Sequence, residues 1–508
     1  MTDKDKAMTE LRRLILRIAH LEAAKKRMEW DQEVSMPSGA SQAMAETIGS
    51  IAEISHQMFV SEEFEDVLMR AREFLAAGVL SPEEECIVRE TVRDFDSEKK
   101  LPSALVVELA MTASENQAIW HEARRTGDFK MFLPNLKKAF ELMRQKAECL
   151  GYEKSPYDAL MNEYSRGMTC GEVSEIFAQL KDFLMPFVAR IADSKVVIRR
   201  DFLGRSCHPA IQYKFARRIL RKIGFDFNRG RLDKSVHPMS CSFHPTDVRI
   251  STRYKRHDLI NQCIGSVIHE AGHGMTDQGL IEEYFGTPMG ELDDSFMDLH
   301  ESQSRLWETA VGQSRSFWVY FFPRLQKAFP GVFGDVSLEE FYRAINYVKP
   351  SLIRVDADEV TYNLHVILRF EMEREITEGN LKVDEDLPHI WNLKIKESLG
   401  VDVPNDREGI LQDVHWPQLL IGYFPSYTLG NIYMPQICEA AKIAIPDMKE
   451  GFTRGKFKPL RDWLRENFHR HGRMYDPKVL IERACGKSPE PSHLIKYITD
   501  KYSEIYGL

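Results

Sequence analysis

The sequence predicts one large, mostly α-helical body with a small β-sheet inserted near residues 235 to 255. Three observations carry this expectation. Apolar residues recur at helical spacing along most of the chain. Only one segment alternates like a half-buried strand. No repeat, low-complexity tract or flexible linker divides the 508 residues into separate domains.

Taken in order, Leu11, Leu14, Ile15, Ile18 and Leu21 fall on one face of an opening helix. Similar spacing recurs over 83–96, 136–150, 170–191 and 214–223, with Gly127-Asp128 and Ser155-Pro156 read as turns between them. The strand signal lies at Asp247–Tyr254, where Val248, Ile250, Thr252 and Tyr254 alternate with polar residues. Pro238 and Pro245 break the chain just before it. A buried helix is expected over Leu259–Thr276, and two more near the C-terminus over 460–468 and 494–502, with a loop around 487–491.

Composition excludes several function classes. Hydrophobic residues make up 43% and charged residues 29%, so wholesale disorder is ruled out. A formal net charge of −9 argues against binding nucleic acid or anionic membranes through bulk charge. The first residues, MTDKDK, and the arginines at 12, 13 and 17 leave no signal-peptide core. The longest uncharged stretch, Val414 to Cys438, holds three prolines and reads as cavity lining rather than a membrane helix. Eight scattered cysteines without a CxxC pair read as reduced thiols of a cytoplasmic protein.

One motif outweighs the rest: His269-Glu270-Ala-Gly-His273, inside the buried helix. Histidines at i and i+4 sit one above the other, so both imidazoles can reach one divalent ion. Glu270, beside the first of them, can take the proton of the attacking water. A third protein ligand is required, and Thr276 and Gly279 exclude the extended histidine-rich version of the motif. A downstream carboxylate is therefore expected, and Asp298, Glu301 and Glu308 share one face of the next helix as candidates. His300 is rotated about 100° from Glu301 and is less suited to the same ion.

Further motifs follow in order: His300-Glu301-Ser302-Gln303-Ser304, Ile353-Arg354-Val-Asp-Ala357-Asp358, and Gly409-Ile-Leu-Gln412-Asp413-Val-His415-Trp416. Asp247-Val-Arg249-Ile-Ser251 precedes them, and Trp30-Asp31-Gln32 with Met36-Pro37 lies in the first helix. This ordered set resembles the carboxypeptidase Taq family of thermostable metallocarboxypeptidases. The resemblance implies a mainly α, two-lobed fold around a deep groove, with a small sheet beside the active site, similar to neurolysin and angiotensin-converting enzyme. It implies a single catalytic domain over 1–508: helices over about 1–230, sheet and metal-binding core over about 231–435, and helices over about 436–508. It selects Glu301 as third ligand, makes Asp298 a neighbour that supports the ligands, and implies a homodimer. Ser251 stands where the family usually has threonine, and Gly-Met-Thr-Asp277 replaces the Ala-Leu-Tyr-Glu expected after His273.

The implied reaction is release of single C-terminal residues from peptides. Histidine and carboxylate ligands suit zinc, and the same site accepts cobalt or manganese. The developing oxyanion needs a second electrophile, and a tyrosine between Gly422 and Gly430 is expected to supply it, Tyr423 in preference to Tyr427. A buried arginine is expected to grip the substrate's terminal carboxylate bidentately. Arg354 is the first candidate, unless Asp356 or Asp358 holds it in a structural ion pair. Arg249, fixed by Asp247, is the second, and His415 and His237 are expected to line the cavity. An oligopeptidase of the same fold and a non-catalytic peptide-binding protein are the competing readings.

Overall fold

Side-chain caps decide where many of the helices begin. In the computed structural model, which describes residues 2–384 and 386–508, Thr2 and Asp5 cap α1 (Asp3–Val34) reciprocally. Helices α2 (Ser41–Phe59), α3 (Glu62–Ala76) and α4 (Pro82–Lys100) complete an N-terminal bundle, α4 starting on a second capping box, Ser81 with Glu84. Leu11, Leu14 and Ile15 of α1 pack there against Phe64 and Leu68 of α3 and Ile87 and Phe95 of α4. This small core is separate from the main one. The expected face of the first helix is thus the face it buries.

The main body continues with α5 (Ser103–Thr126), α6 (Phe129–Leu150), α7 (Pro156–Met161), α8 (Cys170–Ala192) and α9 (Pro209–Ile223). Gly127, with φ +73°, ends α5 and the Asp128 side chain caps α6, so that pair punctuates as expected. Ser155-Pro156 does something else. Ser155 caps α7 and Pro156 opens it, where a missing N–H costs nothing.

The sheet has three strands, β1 (Gly230–Lys234), β2 (Ser240–His244) and β3 (Asp247–Thr252), in the order β1-β3-β2. β3 runs parallel to β1 and antiparallel to β2. It is the central strand, flanked on both sides, and it carries the alternation legible in the sequence. Val248 and Ile250 point into the core, while Ser251 accepts the amide of Met239 at 3.1 Å and stitches the turn before β2. Trp30 of α1 is buried edge-on against Phe243 of β2, so the first helix roofs the sheet.

Beyond the sheet come α10 (Ser266–Asp277), α11 (Met297–Arg305), α12 (Arg315–Ala328), α13 (Pro330–Phe333), α14 (Leu338–Ile345), α15 (Tyr362–Glu378), α16 (Leu387–Leu399) and α17 (Phe424–Ala444). Four helices close the chain: α18 (Met448–Thr453), α19 (Lys458–Asn467), α20 (Pro477–Cys485) and α21 (Pro491–Tyr506). A π-helical turn, Ile260–Gly265, leads directly into α10, and another, Leu306–Val311, follows directly on α11. The uncharged stretch from Val414 divides at Tyr423: turns before it, the buried helix α17 after it. No helix among the described residues is long and apolar enough to cross a membrane. All eight cysteines are free thiols.

Helix α11 lies between α10 and α17 at unusually close range, and a glycine on each neighbour permits it. A Cβ on Gly272 would stand 2.5 Å from Cα of Ser304 and 2.7 Å from the carbonyl oxygen of Gln303. One on Gly430 would stand 3.0 Å from the Glu301 side chain. Because the first clash is with backbone, no rotamer change relieves it. Gly272→Ala is expected to destabilise the protein by about 3 kcal/mol or more and to weaken metal retention, read by thermal unfolding and metal content.

Candidate metal centre and active site

Periodicity alone brings His269 and His273 to one face of α10, and the close approach of α11 delivers Glu301 opposite them. The ligand atoms of these three residues lie within 4.8 Å of one another. Nε2 of His269 is 3.7 Å from Oε2 of Glu301, and Nε2 of His273 is 3.4 Å from it. Two ligands about 2.1 Å from a tetrahedral centre are separated by about 3.4 Å, so the residues fit a divalent cation. Nδ1 of His269 faces Glu308 at 2.9 Å, which leaves Nε2 as the ligating atom.

Of the three candidate carboxylates, Glu301 is therefore the one among the imidazoles. Glu308 supports His269 from behind and is itself held by Arg305 at 2.7 Å. Asp298 does not support the ligands as expected. It is wholly buried one turn before Glu301 and accepts hydrogen bonds from the Tyr433 hydroxyl (2.9 Å) and the Leu299 amide (2.7 Å). Its side chain is turned towards Tyr433 of α17.

Glu270 lines a cavity of about 660 Å³ together with His269 and Glu301. Burial pushes its carboxyl up to about 7, with His269 opposing. That value suits a group that takes and returns a proton near neutrality.

The far wall of the same cavity carries Arg354, Tyr362 and Tyr427. Arg354 is buried, and neither Asp356 nor Asp358 pairs with it. Asp358 accepts the Thr361 hydroxyl and backbone amides at the start of α15 instead. The partner of Arg354 is Asp413, at 2.9 Å from both Nε and Nη2, while Nη1 donates to the Tyr362 hydroxyl at 2.9 Å. Asp413 also binds Arg369 at 2.6 Å. Two guanidinium groups thus share one carboxylate, and of the two it is Arg354 that lines the cavity.

The Gly409–Trp416 motif explains itself in these contacts. Gln412 accepts the backbone N–H of Arg354 at 2.9 Å, and Asp413 holds its side chain. His415 meets the Tyr427 hydroxyl at 3.2 Å and stacks near Phe424, and burial drives it down to about 3, so it is neutral. Trp416 donates to Glu373 of α15 at 2.7 Å. His415 therefore stands behind Tyr427, whereas His237 does line the cavity. Tyr423 is packed between Tyr164 and Tyr427, and burial and the charge of Glu301 raise its hydroxyl. Arg249 lies elsewhere. It pairs with Asp247 through two contacts of 2.9 Å, covers Phe243, and does not line this cavity. Arg27 of α1 approaches the same aspartate at 3.5 Å, so Asp247 and Arg249 fasten the roof helix to the sheet.

Sequence reasoning missed Glu373, one of several acids in the charged run over 371–378 of α15. Its fully buried carboxylate accepts from Trp416, from the Gly422 amide at 3.0 Å and from the Tyr157 hydroxyl at 2.8 Å. It ties the 409–422 loop and the start of α17 to α15. Burial pushes it up to about 7 from its ordinary 4.5, against these donors. The folded chain then keeps a proton that the unfolded chain releases. Stability is fully present below about 4.5 and is lost as pH rises to about 7, by up to about 3 kcal/mol. Glu373→Gln is expected to flatten that decline, measured as denaturant unfolding of both proteins at pH 5 and pH 7.5.

Comparisons with known proteins agree with this geometry. The carboxypeptidase Taq (M32) metallopeptidase family matches residues 10–502. Thermostable carboxypeptidase 1 of Thermus thermophilus is 38% identical over 487 residues, covering 94% of each chain. Carboxypeptidase 1 of Bacillus subtilis is 35% identical over 495 residues, covering 97% of this chain and 98% of that one. The crystal structure of an M32 carboxypeptidase from Deinococcus radiodurans superposes with a TM-score of 0.95 at 38% identity, over 99% of this chain and 100% of the other.

Proposed function

The chain belongs to the carboxypeptidase Taq (M32) family and is a metal-dependent carboxypeptidase; on that premise we propose how its residues divide the work. His269, His273 and Glu301 hold the ion, zinc or cobalt, with manganese also compatible with the donor set. When bound, that ion supplies Lewis acidity to the scissile carbonyl and to a water molecule. Glu270 takes the proton of the attacking water and returns it to the departing amine. The hydroxyl of Tyr423 donates to the oxyanion, as the family resemblance implies, although Tyr427 is the one of the two that lines the cavity and also belongs to the carboxylate-binding wall.

The observation that carries exopeptidase action is the shared aspartate. Asp413 neutralises only one of Arg354 and Arg369, so the remaining positive charge calls for a carboxylate from the substrate. His237 lines the same cavity as this wall. The test is digestion of one peptide with a free and with an amidated C-terminus, followed by mass spectrometry. A ladder of single-residue losses from the free acid alone supports the reading. Equal cleavage of the amide, at internal bonds, supports an oligopeptidase instead.

The proposal extends to the whole protein. Residues 1–508 act as one catalytic domain, with free peptides as substrates and no nucleic-acid or membrane partner. The enzyme is cytoplasmic and a homodimer. The apolar residues Val106, Val107 and Met111, exposed on α5, offer a surface for the second copy.

A further inference from the structure

We propose that His300 is a positioning residue for the metal centre, fixing the ligand imidazole of His273 through a hydrogen bond between their Nδ1 atoms, with the Asp277 carboxylate on the far side of the His300 ring. The proposal rests on the reading of His273 as a ligand. Nδ1 of His273 lies 3.0 Å from Nδ1 of His300, and the two rings are 4.5 Å apart between centroids. Nε2 of His300 lies 3.3 Å from Oδ1 of Asp277.

The chemistry leaves one arrangement of protons. Nε2 of His273 faces Glu301 and must keep its lone pair for the cation, so a neutral His273 carries its proton on Nδ1. Nδ1 of His300 can then only accept. The His300 proton then sits on Nε2, on the ring edge that the Asp277 carboxylate faces at 3.3 Å, a charge contact rather than an aligned hydrogen bond. The acid draws that edge of the ring towards itself, and His300 orients His273. His269, His273 and Asp277 recur every four residues on one face of α10, so a single helix supplies both ligand histidines and the acid beside His300. His300 enters from α11, beside Glu301. The rotation that keeps His300 away from the ion is what carries it round to the back of His273.

The two ligand histidines are therefore supported differently. His269 leans on a carboxylate, Glu308, and His273 on an imidazole that has a carboxylate behind it. An outer partner of this kind is worth about 10- to 100-fold in metal affinity.

The experiment compares zinc affinity, by competition with a chromogenic chelator, in the full-length protein and three variants. His300→Leu is expected to raise the dissociation constant about 10- to 100-fold, with the unfolding temperature of the metal-free protein unchanged. His300→Asn, whose side-chain carbonyl can take the place of Nδ1 as acceptor, is expected to recover most of the affinity. Cobalt-loaded His300→Leu is expected to show altered visible absorption bands, since the His273 ring is no longer held. His273→Ala serves as the reference and is expected to lose zinc altogether. Retained zinc in His273→Ala would overturn the ligand assignment itself. Zinc lost in His273→Ala but held normally by His300→Leu would overturn the positioning role alone. Equal loss in His300→Leu and His300→Asn would also overturn it, since only bulk and not hydrogen bonding would then matter.

Discussion

Replacing Glu270 by alanine is expected to lower turnover by about 10²- to 10⁴-fold while leaving bound metal near one equivalent. The two parts of this result come from different atoms. Glu270 lines the cavity from the helical turn between the two imidazoles and is not one of the three residues whose ligand atoms converge. Metal content by atomic emission and kcat on a chromogenic dipeptide check both halves. Glu270→Gln keeps the shape, loses the base, and is expected to behave like the alanine variant. Activity surviving in both would mean that the proton is taken elsewhere. It would also remove the reason for a carboxyl held near neutrality by burial.

Arg354→Met is expected to cost about 3 kcal/mol in transition-state binding of free-acid peptides, somewhat over a hundredfold in kcat/KM. Its rate on the matching amides is expected to change little, so the preference for a free C-terminus collapses. The substitution leaves Asp413 with Arg369 as partner, so no unpaired carboxylate is stranded in the core. Arg354→Lys is expected to recover only part of the loss, because an ammonium cannot bridge Asp413, Tyr362 and a substrate carboxylate in one plane. Parallel kcat/KM measurements on acid and amide pairs decide it. A uniform fall on both would make Arg354 a structural residue of the loop.

The helical character of the fold and the pair of histidines were legible because both rest on local periodicity, whereas spacing left three acids open as third ligand and only the family resemblance chose Glu301. The i, i+4 histidines, the buried face of α1 and the alternation in β3 need only the chain's own geometry. Beyond that range the sequence is silent about partners. Asp356 and Asp358 are Arg354's neighbours in the chain, yet the arginine pairs with Asp413, some sixty residues on, because the turn points its side chain across to the 409–416 loop. Arg249 carries a charge and sits in a motif, but it is spent on Asp247 within the same strand. Asp298 shares a helical face with Glu301 and still turns to Tyr433, since α11 is walled by α10 on one side and α17 on the other. Glu373 had no signal at all, because it stands in the charged run Glu371-Met-Glu373-Arg374-Glu375, where any one acid looks like an exposed position.

The π-helical turns that abut both ligand-bearing helices have a consequence for how the protein tolerates change. A π turn holds about one residue more than an α turn, so each is a spare residue stored beside the chemistry. Deleting one of residues 260–265 lets that turn relax to ordinary α geometry and uses up the spare residue, so the chain on either side keeps its phase and the His269–His273 face is undisturbed. The same relaxation in 306–311 is not free, because Glu308 lies inside that turn and would be carried away from His269. A single-residue deletion scan is therefore expected to be tolerated in the first turn and to weaken metal retention in the second.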